Sequence, residues 1–152
     1  MKAYLKNTDG LTFIAKGESN HYLVLDTNPA VGGSDAASQP MELMLISLGG
    51  CTGMDVVSIL KKKRVDFDSL EINVDAERAT EHPKVFTKID VEFVVRGDNI
   101  PAEAVERSIF LSATKYCPAS AMLRKTAKIE YRYKILDKDG KEITSKLLDL
   151  GL

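Results

Sequence analysis

Three features of the chain predict an α+β fold. Residues 41–64 form a nearly uninterrupted apolar run, short alternating segments lie on both sides of it, and a second, amphipathic helical stretch begins after Pro101. Between Leu43 and Leu60 the only polar side chains are Ser47, Thr52, Asp55 and Ser58. A helix apolar almost all round has to be covered on every side, so this one is expected at the centre of the fold. At about 100° per residue, Ser47, Cys51, Asp55 and Ser58 share one narrow stripe. Gly49, Gly50 and Gly53 surround the thiol. Each costs roughly 1 kcal/mol against alanine in a helix, which points to close approach by another backbone or a ligand.

Residues 1–26 read as strands. Lys2 to Lys6 and Leu11 to Lys16 flank Asn7-Thr8-Asp9-Gly10, and Asp-Gly is a hairpin signal because glycine takes the positive φ. Tyr22 to Asp26 reads as a third strand. Residues 27–40 are small and polar without periodicity, so they read as a loop, either a lid or a segment reaching a partner subunit. Gly32-Gly33 has neither the lysine of a phosphate loop nor the spacing of a dinucleotide fingerprint. The central helix, residues 41–64, should end at Lys61-Lys62-Lys63-Arg64, where cations meet the negative end of the helix dipole. Residues 70–96 alternate apolar and polar on both sides of Thr80-Glu81-His82-Pro83, as in a long antiparallel hairpin. Residues 101–125 should be helical. A capping Asp98 or Asn99 precedes Pro101, Val105, Ile109, Ser112 and Ala113 mark a buried side, and Pro118 suits the first turn of a further short helix with Cys117 at its cap. Residues 128–136 are expected as the final strand.

With 152 residues and 44% hydrophobic content, the chain is the size of one domain with one core. Its 21 basic and 22 acidic side chains give a net charge of −1. No whole-molecule field therefore attracts nucleic acid or an anionic membrane. The amino terminus lacks an apolar signal segment, and the central helix holds Asp55 and three glycines, which argues against a membrane span. The expectation is a cytoplasmic protein with neither nucleic-acid nor membrane partners. His21 and His82 fall in turns and the cysteines are far apart, so no metal-site spacing appears and no cofactor is expected.

Two cysteines in a reducing compartment are either unrelated or redox-active. Cys51 can be read as a small core hydrophobe. Cys117, at a helix start with Lys115 and Arg124 near in sequence, sits where free N–H groups favour negative charge on sulfur. One thiolate attacking an O–O bond and a second thiol condensing with the sulfenic acid would form a disulfide, provided the Cα atoms lie within about 7 Å.

Pro40-Met41-Glu42-Leu43, Leu48-Gly49-Gly50-Cys51-Thr52, Asp55-Val56-Val57, Leu60-Lys61-Lys62-Lys63-Arg64 and Tyr116-Cys117-Pro118-Ala119-Ser120 resemble the OsmC/Ohr superfamily, specifically its YhfA-like branch. The resemblance implies an intertwined homodimer in which antiparallel sheets wrap two central helices. It also implies reduction of small organic hydroperoxides at the expense of a thiol reductant, with Cys51 attacking and Cys117 resolving. The chain departs from the better-understood peroxidase branches in two ways. Met41 follows Pro40 where those branches carry a glutamate, and no arginine precedes Arg64. Burial without a cation raises a thiol pKa. Glu42 is either a first-turn acid favoured by the helix dipole or a site residue. Asp55 is either an acceptor for the thiol proton, a hold on a partner group, or a satisfied buried carboxylate. Met41, Met44, Leu45 and Met54 are expected as walls, although methionine also fills cores. A non-enzymatic binder of an apolar small molecule, with inert cysteines, and a thiol redox sensor are the alternatives. A Cys51 pKa well above ~8.5 would favour the binder.

Overall fold

The computed structural model describes residues 1–151. The chain divides into two compact units, Met1–Met44 and the remainder from Leu45 onward. In the first unit, β1 (Ala3–Asp9), β2 (Thr12–Gly17) and β3 (Tyr22–Leu25) form an antiparallel sheet in chain order. Gly10 takes a φ of 49° in the first turn, the conformation expected of the Asp-Gly pair. The following loop is tied to Asp26, whose carboxylate accepts the N–H groups of Thr27 at 2.8 Å, Ser34 at 3.2 Å and Ala36 at 3.0 Å.

The long helix α1 covers Pro40–Lys62. Its start is capped from within: the Gln39 N–H donates to the Glu42 carboxylate at 2.9 Å, while the Gln39 carbonyl accepts from Leu43 N–H. The Glu42 side chain thus supplies one half of a capping box, and the Leu43 bond is the first regular turn of the helix. At the other end Arg64 turns to a φ of 57°, which closes the helix beside its cations.

In the second unit, β4 (Ser69–Arg78), β5 (Phe86–Arg96), β6 (Lys128–Leu136) and β7 (Glu142–Leu148) form a sheet in that order. β4 and β5 are the expected hairpin, with Ile72 opposite Phe93. Two expectations need correction. The sheet is mixed, because β6 runs parallel to β5. The strand at residues 128–136 is also not the last one, since β7 pairs beyond it. A parallel neighbour needs a crossover, and residues 102–123 supply it as helix.

That crossover differs from the single helix expected through Lys115. Helix α2 spans Ala102–Leu111 with Pro101 as its N-cap and no capping side chain. It widens into a π turn over Ser112–Tyr116, and the short α3 covers Pro118–Leu123 with Cys117 as its N-cap. Val56, Leu60, Ile89, Val91, Phe93, Val95, Val105, Ile109 and Tyr131 are buried in this unit's core. Each such aliphatic side chain contributes about 1.5–3 kcal/mol relative to exposure. The glycines of α1 divide by role. A Cβ on Gly53 would collide with the Ile72 Cδ1, and one on Gly49 would lie 3.3 Å from the Val74 Cγ2, so these two let α1 lie close on β4. Gly50 faces open space.

Candidate functional site

The two thiols, 66 positions apart in the chain, meet in the second unit. Cys51 lies midway along α1, half-buried, beside the buried Cys117, which is near enough to raise its pKa, and both cysteines are free. The meeting is arranged by the first turn of α3, where N–H groups have no partner inside the helix. Ser120 N–H donates to Cys117 Sγ at 3.3 Å, and Ala119 N–H donates to Cys51. Pro118 takes the first helical position, where its missing N–H costs nothing.

Electrostatically, Cys51 is unfavourably placed for losing its proton. Burial, the nearby Cys117 side chain, negative charge on Cys117 and the Asp55 carboxylate push it from 9.0 up to about 11, against the lowering effect of Ala119 N–H. No cation figures among these influences. Arg124 instead donates to the Ala113 carbonyl at 3.5 Å, and Lys115 Nζ lies 5.4 Å from the centre of the Tyr116 ring.

Asp55, one turn past Cys51, accepts the Ser112 hydroxyl at 2.9 Å across 57 residues of chain. Ser112 is almost fully buried, and its carbonyl accepts Cys117 N–H at 2.9 Å, the wide spacing that the π turn makes possible. On the far side of Cys117, the hydroxyls of buried Ser120 and Tyr131 bond at 2.8 Å. Burial raises the Tyr131 pKa, the Ser120 hydroxyl opposes it, and charge on Cys117 adds to the rise. Glu42 is engaged at the start of α1 and belongs to the first unit. The sequence reading missed the roles of Ser112, Ala119, Ser120 and Tyr131. Ser112 on the buried side of an amphipathic helix was the one available signal.

Of the expected apolar walls Met41, Met44, Leu45 and Met54, only Leu45 and Met54 line a cleft, and it lies away from the cysteines. A cleft of about 620 Å³ runs between α1 and β4, lined by Leu45, Ile46, Gly50, Met54, Ile72 and Val74 among others, and neither cysteine borders it. No cluster of metal-ligating side chains occurs among the described residues.

A chain with one long apolar helix, a thiol at its middle and a second thiol capping a short helix from a crossover has the architecture of OsmC-like proteins. Residues 32–132 match the family described as OsmC-like protein, and the chain belongs to it. Over 136 residues the chain is 40% identical to Protein YhfA of Escherichia coli strain K12, covering 90% of this chain and 98% of that one. The solved structure of a hypothetical protein from Aquifex aeolicus VF5 is 28% identical with a TM-score of 0.80, covering 90% of this chain and 96% of that one. An organic hydroperoxide resistance protein OsmC from Legionella pneumophila shares the fold at 12% identity and a TM-score of 0.65, covering 89% and 96%.

Proposed function

We propose that this protein is a thiol-dependent reductase of small organic hydroperoxides, working as a cytoplasmic homodimer without metal or organic cofactor. The nearness of the Cys51 and Cys117 thiols, 66 positions apart in the chain, supports this reading, because a redox pair needs its two sulfurs side by side. In the reaction, the Cys51 sulfur attacks the O–O bond as thiolate. An S–O bond forms, the O–O bond breaks, and the alkoxide leaves as alcohol after taking a proton. Cys117 then attacks the sulfenic sulfur, water departs, and a disulfide forms. A thiol reductant returns both sulfurs to thiols. Ala119 N–H opposes the rise in the Cys51 pKa, and no cation is among its leading influences from the described residues, so the attacking thiolate is scarce. Ile46 and Met54, 60% and 76% exposed on one side of α1 with Gly50 between them, suit the helix to burial against a second copy.

One observation favours a second reading. The Cys51 thiol is pushed up to about 11, and the apolar cleft lies apart from it, as expected of a binder of an apolar small molecule whose cysteines are inert. The deciding experiment is consumption of cumene hydroperoxide with a dithiol reductant by the wild type and Cys51→Ser. Turnover that stops in the variant supports the reductase. A single oxidation without turnover indicates a redox sensor, and no reaction with hydroperoxide leaves the binder.

A further inference from the structure

We propose that Ser112 is the positioning residue that holds the two cysteines in register for disulfide closure. This rests on the redox-pair reading above for its use in turnover, though not for its geometry. Ser112 acts on both sides of the thiol pair. Its hydroxyl donates to Asp55 at 2.9 Å, on α1 one turn after Cys51, and its carbonyl accepts the Cys117 N–H at 2.9 Å. One residue therefore brackets the segment that carries each sulfur. The bracket depends on the π turn over Ser112–Tyr116. In a regular α-helix the amide five residues on would bond elsewhere, and π turns inside helices recur at functional sites. Ser112 is also 1% exposed, so the donor end of its bond to the half-buried Asp55 carboxylate is shielded from competing water.

Disulfide closure draws the neighbouring sulfurs to about 2.05 Å, which requires the two backbones to stay in register. Side-chain chemistry at Ser112 takes no part: no bond to it forms or breaks, and its hydroxyl proton stays in place. Loss of the hydroxyl frees α1 from the π turn while leaving the carbonyl bond to Cys117 intact. Misplacement of reacting atoms by an ångström costs up to about a hundredfold in rate. Losing a hydrogen bond to a charged acceptor makes at least about a tenfold slowing the expectation here.

The test compares wild type, Ser112→Ala and Ser112→Thr, with thermal melts to verify folding. Each reduced protein is treated with one equivalent of cumene hydroperoxide, and sulfenic acid, trapped by dimedone, is read against disulfide by mass spectrometry. In parallel, diamide oxidises the thiol pair directly, taking two electrons and two protons onto its N=N bond. Ser112→Ala is expected to close at least about tenfold more slowly with diamide and to accumulate trapped sulfenic acid relative to disulfide, while Ser112→Thr restores closure. Folded Ser112→Ala closing at the wild-type rate overturns the inference, and so does a threonine variant that folds but stays slow. If hydroperoxide leaves the wild type untouched while diamide closure still depends on the Ser112 hydroxyl, the reductase reading falls and the positioning role stands.

Discussion

Removing Cys117 should make Cys51 more reactive toward alkylation. In the native pair the Cys51 thiol is pushed from 9.0 up to about 11, first by burial and next by the Cys117 side chain, with charge on Cys117 and Asp55 adding to the rise. A midpoint near 11 leaves about one thiolate in 3,000 at pH 7.5, roughly a hundredfold fewer than an ordinary thiol of 9.0 would provide. Cys117→Ala deletes two of the four raising influences and keeps burial, Asp55 and the opposing Ala119 N–H. The Cys51 midpoint should therefore fall to between 9.0 and about 11, and alkylation at pH 8 should quicken by about three- to tenfold. The assay is iodoacetamide modification from pH 7 to 11.5, followed on the Cys51 peptide by mass spectrometry. A midpoint in Cys117→Ala equal to or above that of the wild type would refute the contact between the thiols. A wild-type midpoint near 9 would refute the electrostatic account of the site.

Other consequences can be checked on the folded protein. Gly53→Ala should change stability by less than about 1 kcal/mol in urea unfolding, because the new Cβ meets only the movable end of Ile72, which borders the open cleft, and shifting it offsets the roughly 1 kcal/mol gain in helix propensity. Gly50→Ala meets no atom within its own chain and should stabilise α1, whereas in the proposed dimer it should weaken association, which sedimentation velocity separates. The Asp26 carboxylate is held below its ordinary 3.8 chiefly by the Ala36 and Thr27 N–H groups, so its contribution is present above that value and is lost as pH falls through the depressed one. Asp26→Ala should accordingly expose residues 27–36 to limited proteolysis at neutral pH. The Tyr133 hydroxyl donates to Glu106 at 2.8 Å, and burial first, then this bond, raises its pKa to about 12. That contribution is present below 10.0 and lost as pH rises through about 12, so Tyr133→Phe should cost about 1 kcal/mol near neutrality and flatten the alkaline loss of stability above pH 10.

By itself the sequence determined the central helix, the first three strands, the β4–β5 hairpin and the two cysteines, because each is written in a local period, a turn signal or a residue type. The apolar run of α1 stops at its cations, and Asp9-Gly10 turns as its chemistry requires. Where the reading went astray, the deciding contacts are distant in the chain. Residues 128–136 look like any alternating strand. That they pair parallel to β5 and leave an edge for β7 depends on a crossover whose path no local signal encodes. The widening of α2 at Ser112 accompanies a hydroxyl that reaches a carboxylate on another helix, a contact 57 positions away in the chain. Of the two acids on α1, Glu42 bonds Gln39 three residues away, as a first-turn acid can, whereas only the tertiary structure brought Asp55 to Ser112. The tertiary structure alone also decided that the two sulfurs come near enough for Cys117 to raise the Cys51 pKa, because electrostatic environment is set by what packs around a group and not by its neighbours along the chain.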